Sequence, residues 1–377
     1  RREDGLYHAY NRIVVRDDGV EIKYLYEMLE GQVAVLSSEL LEADESLALL
    51  KTLRASSLYI ARQHSYLLYP NRRLPSFMDR NLIPAEFVKS STLMTKLLAA
   101  GNTDLIEIDG SGQAFFAGKF NNTASVAAAL TRLAGDSFAE DVSAERAAIE
   151  SLFSGLFDCA NFTGRSGGMY AYEGLGSIYW HMVSKLLLAV METVKQAEEA
   201  GASADVLAGL QAAYYDVREG IGFNKTPDVY GAFPTDPYSH TPGFAGARQP
   251  GMTGQVKEEV LTRLLELGVE VADARVSFNP SVLRRSEFLG SSATLRYFDT
   301  AGASQSVALE AGELGFTYCQ VPVVMALADS PSITLHTADG ATESVEGSVL
   351  TAEQSEALFK KTGHYVRLDV LVTQVMD

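Results

Sequence analysis

The chain has 377 residues and a formal net charge of −17, from 31 Lys and Arg against 48 Asp and Glu. That balance excludes a non-specific nucleic-acid binder, which needs a basic surface. The longest apolar runs, such as Leu186 to Met191, are far too short to span a bilayer.

At this length two domains are the default. The chain opens on Arg1 rather than Met and shows no signal peptide, which suggests an excised or processed piece. Cys159 and Cys319 lie far apart in apolar surroundings and read as buried free thiols, as in a reducing, cytoplasmic compartment. No Cys/His spacing resembles a metal site.

Apolar residues at helical spacing run through Leu36–Tyr66, with a division near Asp44. They recur in Pro84–Ala100, Thr123–Ala134, Ser143–Phe157, Gly176–Ala200, Ser203–Glu219 and Thr253–Leu267. Between Leu105 and Phe120 the turn Asp109-Gly110-Ser111-Gly112 separates two strand-like runs. After Gly268 the pattern changes to short alternating stretches, as in 274–280, 293–300, 332–338 and 365–372. The expected fold class is α+β and multidomain: a helical domain over 1–270 that carries the site, then an antiparallel β-sandwich over 271–377.

The stretch from Tyr230 to Glu259 is the strongest pointer to function. It is long and rich in Gly and Pro, yet it holds Tyr230, Phe233, Tyr238 and Phe244, which disordered segments lack. It reads as an ordered loop lining a pocket. Three more clusters mix aromatic and polar residues: Asp4 to Asn11, Tyr69 to Arg80 and Phe162 to His181. Sugars ask for this mixture, with flat rings for sugar faces and dense donors and acceptors for hydroxyls.

Glu173, between Tyr172 and Gly174, is singled out as a proton donor, because aromatic neighbours desolvate a carboxyl and raise its pKa. Its alternative role is to stabilise a following helix N-terminus. Asp236 is the second carboxylate, or else a turn-former in PTDPY. Arg165, Ser166, Tyr170, Tyr172, Tyr238, His240, Arg248, Gln249 and Lys257 are candidate binding residues, whereas His181 reads as a satisfied helix residue. Thr253 and Gly254 open a helix, where backbone amides bind an anion such as phosphate or Thr253 serves as a simple cap. No P-loop spacing, dinucleotide fingerprint or GxSxG elbow occurs.

The run Met252-Thr253-Gly254, then Leu267-Gly268-Val269, then Ala274 to Pro280, resembles the C-terminal part of cellobiose and chitobiose phosphorylases. Gly174-Leu175-Gly176-Ser177 before Ile178-Tyr179-Trp180 is similar to that family's Gly-x-Gly-Glu-Ser-x-Trp helix opening. The resemblance implies an (α/α) toroid acting on glycans, with Thr253, Gly254 and His240 near a phosphate. Two positions depart from the pattern. The family's acidic Asp-Trp-Asn-Asp stretch falls on Gly164-Arg165-Ser166-Gly167-Gly168, and its Glu before Ser is Gly176.

The sequence thus points to an enzyme cleaving or phosphorolysing a glycosidic bond of an oligosaccharide. It would need no cofactor, with inorganic phosphate as the co-substrate of phosphorolysis. A non-catalytic glycan-binding or scaffolding module is the alternative. The expected partners are an oligosaccharide and the N-terminal remainder of a longer chain, with neither nucleic acid nor membrane.

Overall fold

The computed structural model describes residues 1–9, 11–24, 26–71, 76–157, 176–221, 225–226, 229, 240–242 and 255–376, with only the backbone at 12, 23, 177, 240–242 and 255–257. The chain forms two compact units. One joins Arg1–Leu68 to Ile178–Asp377, and the other is the intervening Tyr69–Ser177.

The first unit begins with a hairpin of β1 (Arg12–Arg16) and β2 (Gly19–Lys23), then α1 (Leu29–Leu36) and α2 (Ala43–Ala55). The expected division near Asp44 is present, but helix does not continue to Tyr66. Instead β3 (Tyr59–Ile60) and β4 (Ser65–Tyr66) pair across a 3-10 turn, Ala61–Gln63, which ends at His64 with φ +43. That left-handed backbone breaks any helical run. The Asp4 to Asn11 cluster is partly structural. Asp4 accepts from the Leu6 amide at 3.1 Å, Leu6 is 1% exposed, and the Tyr7 amide donates to Gln32.

The second unit contains α3 (Phe77–Arg80), α4 (Ala85–Ser90), α5 (Thr92–Ala99), β5 (Ile106–Ile108), β6 (Ala114–Phe116), α6 (Thr123–Ala134) and α7 (Ala139–Phe157). The strand pair and α6 stand where periodicity and turn chemistry place them. Asp109 Oδ1 accepts from the Ser111 and Gln113 amides at 2.9 Å, which fixes the turn, and Asn122 with Ser125 forms a capping box. The single helix expected over 84–100 is two, because Ser91 leaves helical backbone and caps α5 through the Met94 amide. Helix α7 starts before the expected Ser143, with Glu140 and Asp141 in its first turn, where carboxylates stabilise the N-terminus. This unit has its own core around Phe116, Phe153, Leu93, Leu97 and Leu130, and Phe116 meets Phe153 edge-on with centroids 5.1 Å apart.

The chain returns to the first unit through β7 (Ser177–Tyr179), and helix α8 (Trp180–Glu199) begins only at Trp180 rather than at Gly176. Trp180, Val183, Leu186, Val190 and Val194 are fully buried, because α8 lies among α1, α2, α9 (Ala204–Glu219) and α10 (Gln255–Glu266). A helix enclosed on so many sides is apolar over most of its surface. Ser203 caps α9 through the Val206 amide, as its position predicts. The short strand β8 (His240–Pro242) pairs with β7.

Helix gives way to strand where the periodicity changes. Helix α10 ends at Glu266, and β9 (Val269–Ala272) follows, paired with β10 (Arg275–Phe278). Gly268 ends the helix at φ +76, and a Cβ there would stand 2.3 Å from the Asn279 carbonyl carbon and Pro280 nitrogen. The Leu-Gly step and the Pro-ended strand are therefore one packing unit. A hairpin of β11 (Ala293–Phe298) and β12 (Ser304–Leu309) precedes β13 (Glu313–Tyr318), β14 (Val321–Leu327), β15 (Ser332–Thr337), β16 (Thr342–Glu346), helix α11 (Ala352–Phe359) and β17 (Tyr365–Val372).

The last five strands form one sheet in the order β13-β14-β17-β15-β16. This sheet is mixed rather than antiparallel, because β14 and β17 run parallel. Parallel neighbours need a crossover, and α11 occupies part of that connection. Val323, Met325, Leu368 and Val370 alternate into the core from the central strands. Cys319 is a free thiol at the β13–β14 turn and only half-buried, contrary to the expected buried position; Cys159 lies outside the described residues.

Candidate functional site

A cavity of about 1110 Å3 opens within the first unit, walled by the turn bearing Gln63 and His64, by α9 and by α10. Its floor is polar. Glu266, 1% exposed, accepts from the Tyr214 hydroxyl at 3.1 Å and the Tyr215 hydroxyl at 3.2 Å. Arg263 and Arg218 stand 3.2 and 3.4 Å from the same carboxylate. A buried carboxylate is tolerated only when paired and hydrogen-bonded, and four donors supply that here. Burial, reinforced by the Glu266 charge, pushes the Tyr214 and Tyr215 phenols well above their usual range. The Arg284 guanidinium stacks on the Tyr215 ring at 3.5 Å.

The wall at His64 is held in a backbone conformation uncommon for a residue with a side chain. His64 Nε2 stands 3.1 Å from Asp216 Oδ1 while Asp216 Oδ2 accepts from Arg54 at 2.9 Å. Gly220 packs so tightly against this turn that a Cβ would lie 2.2 Å from the His64 carbonyl oxygen. The Lys225 ammonium donates to the carbonyls of His64 and Gly220 and sits 5.4 Å from the Trp180 ring centroid. Burial lowers Lys225 to about 8. Nearby, His181 meets the expectation of a satisfied helix residue only in part: Nδ1 lies 3.3 Å from the Tyr179 hydroxyl, whereas the buried Nε2 stands 3.1 Å from the Glu258 carboxylate without hydrogen-bond geometry.

Most of the sequence-predicted site lies outside the described residues. That holds for Arg165, Ser166, Tyr170, Tyr172 and Glu173, for Asp236 and Tyr238, and for Arg248, Gln249, Thr253 and Gly254. His240 and Lys257 are described only as backbone, in β8 and in the first turn of α10. The strand bearing His240 pairs with the strand that follows the Phe162–Glu173 cluster. Val229, just before the Tyr230–Glu259 stretch, and Glu259, its last residue, both line the cavity.

Sequence reasoning missed Gln63, His64 and Lys225. The available signal was the polar triplet Arg62-Gln63-His64 interrupting an apolar run.

Comparison with known families adds one relation. Residues 74–160, under a quarter of the chain, match GH149 phosphorylase insertion domain 2. The protein is related to a glycoside phosphorylase. The matched segment falls inside the compact unit Tyr69–Ser177, which interrupts the other unit in sequence as an insertion does. A search of curated individual proteins gave no match. No helix among the described residues is long and apolar enough to cross a membrane.

Proposed function

We propose that the protein is a carbohydrate-active enzyme that phosphorolyses, or else hydrolyses, a glycosidic bond of an oligosaccharide. The observation that carries this reading is the match of residues 74–160 to a phosphorylase insertion domain, coinciding with a unit spliced into the fold. The proposed site belongs to the helical portion, 1–270, in a toroid-like arrangement, with the β portion from 271 as a sandwich beside it. Glu173 is the proposed acid. In phosphorolysis a phosphate oxygen attacks the anomeric carbon, the glycosidic C–O bond breaks, and the Glu173 proton passes to the leaving oxygen. One protein carboxylic acid suffices, because phosphate is the nucleophile; hydrolysis calls for a second carboxylate, here Asp236. Arg165, Arg248, His240, Thr253 and Gly254 are the proposed phosphate and hydroxyl ligands. A cytoplasmic setting and a further N-terminal portion of the chain belong to the same proposal.

The second reading is a non-catalytic glycan-binding module. It is favoured by the absence of any carboxylate in Gly164–Gly168, where the phosphorylase pattern is acidic. Incubation with an oligosaccharide panel, with and without inorganic phosphate, separates the readings. Sugar phosphate formed only with phosphate supports the phosphorylase. Reducing sugar without phosphate indicates a hydrolase, and binding with neither product indicates the module.

A further inference from the structure

We propose that Gln63 and Lys225 form a sugar-hydroxyl subsite in the wall of the cavity of the first unit. The proposal rests on the glycan-active reading above and assigns it two residues that neither the resemblance nor the family match supplies.

Gln63 is 5% exposed and lines the cavity. Its Nε2 donates to the Val229 carbonyl at 3.1 Å, while its Oε1 is buried and has no hydrogen-bond partner among the described residues. The amide cannot be reversed to relieve this, because the Val229 carbonyl needs a donor. Buried acceptors are nearly always paired, so this orphan, on a side chain that lines the cavity, calls for a donor that the described residues do not supply.

Lys225 shows the complementary need. An ammonium carries three donors, and two are spent on the carbonyls of His64 and Gly220. Among the described residues no carboxylate pairs with it. Burial has already drawn it down to about 8, which reflects desolvation without a counter-charge. Its anchor is the carbonyl of His64, next to Gln63, and Gly220 packs that turn tightly in place.

A hydroxyl donates one proton and accepts through its lone pairs, so a polyol can donate to Gln63 Oε1 and accept from Lys225 Nζ at once. Inorganic phosphate fits less well. It suits the ammonium, but its negative charge faces the carboxamide oxygen. At about 1110 Å3 the cavity has room for more than one sugar ring.

The test uses the full chain and calorimetric titration with cellobiose, chitobiose and their longer homologues, and separately with inorganic phosphate. Wild type is compared with Gln63→Leu, Lys225→Met and the double variant, each checked by thermal unfolding. Glycan affinity should fall about 3- to 10-fold in Gln63→Leu and about 10- to 100-fold in Lys225→Met. The double variant should lose less than the product, because Lys225 is anchored on the residue next to Gln63 and neighbouring groups couple. Phosphate affinity should be unchanged in Gln63→Leu, and in turnover KM should rise with kcat held. If Lys225→Met does not fold, Gln63→Met carries the test, with the same loss of glycan affinity, about 3- to 10-fold, expected of it. Glycan binding at wild-type strength in folded Gln63→Leu and Lys225→Met would overturn the subsite and leave the glycan reading intact. Loss of phosphate binding in Lys225→Met with glycan binding untouched would make it an anion site and overturn it too. A wild-type protein that neither binds nor cleaves any of these sugars would overturn the functional reading itself, and the subsite with it.

Discussion

The Gly176 amide donates to the Tyr69 carbonyl at 3.2 Å, so the chain enters and leaves the Tyr69–Ser177 unit across one backbone hydrogen bond. An inserted unit needs its two ends together, and here the ends are also shaped for it. Gly176 has φ +63, and a Cβ on it would lie 2.8 Å from Asn71 Oδ1. A side chain here would meet both obstacles.

Gly176→Ala is therefore expected to cost about 2 kcal/mol, from left-handed backbone and from crowding of Asn71. Denaturant unfolding followed by circular dichroism measures it. Adding Asn71→Ala should recover part of the loss by removing the clash but not the backbone strain. A neutral Gly176→Ala would mean that the junction is not held in this geometry.

Gly268 should be less forgiving. Its φ of +76 is combined with backbone, not a movable side chain, at 2.3 Å from a built Cβ. Gly268→Ala is expected to cost about 3 kcal/mol or more, read as a lowered melting temperature or loss of soluble protein.

Glu266 holds two phenols and two guanidinium groups together. Glu266→Leu should destabilise by about 3 kcal/mol, since it strands donors beneath the cavity; the partial exposure of both arginines moderates the loss. The paired phenols give a pH signature. Their folded pKa values lie above the unfolded value near 10, so the folded state retains protons that the unfolded state releases. Stability should therefore fall as pH rises above about 10. Absorbance titration should show these tyrosines ionising only as the protein unfolds.

How far the sequence reaches is visible in particular elements. Helix α6 and the Ser203 cap of α9 were legible because periodicity and capping chemistry are local. The turn at His64 was not, because Leu58 and Ile60 continue a helical spacing that the left-handed residue then interrupts. Strand β14, VPVVMAL, gave no alternation because its first five residues are all buried, on both faces of the sheet. The pairing of Gln63 with Val229 joins positions far apart in the chain, and no local pattern announces it.

Lys225 should contribute the opposite pH slope to that of the tyrosines. Its folded pKa of about 8 lies below the unfolded value of 10.5. Between those values the unfolded state binds more protons, so this group makes stability rise with pH from about 8 to 10.5. Below pH 8 its desolvation penalty is fully present. Unfolding of wild type and Lys225→Met across that window isolates the effect, because the tyrosine contribution cancels in the difference. A difference that stays constant with pH would show that Lys225 titrates normally.

Glu173→Gln tests the proposed acid. Its alternative role, stabilising a helix N-terminus, predicts the opposite outcome: lost stability with turnover kept. The amide variant keeps size and hydrogen-bonding shape but has no proton to give, so turnover should fall by at least about 100-fold. Folding and glycan affinity should stay near wild type. Activated substrates whose leaving groups need no protonation should lose much less, a selectivity that a structural role would not produce. Retention of near wild-type activity on an unactivated oligosaccharide would remove Glu173 from the chemistry and turn the search for the acid to Asp236.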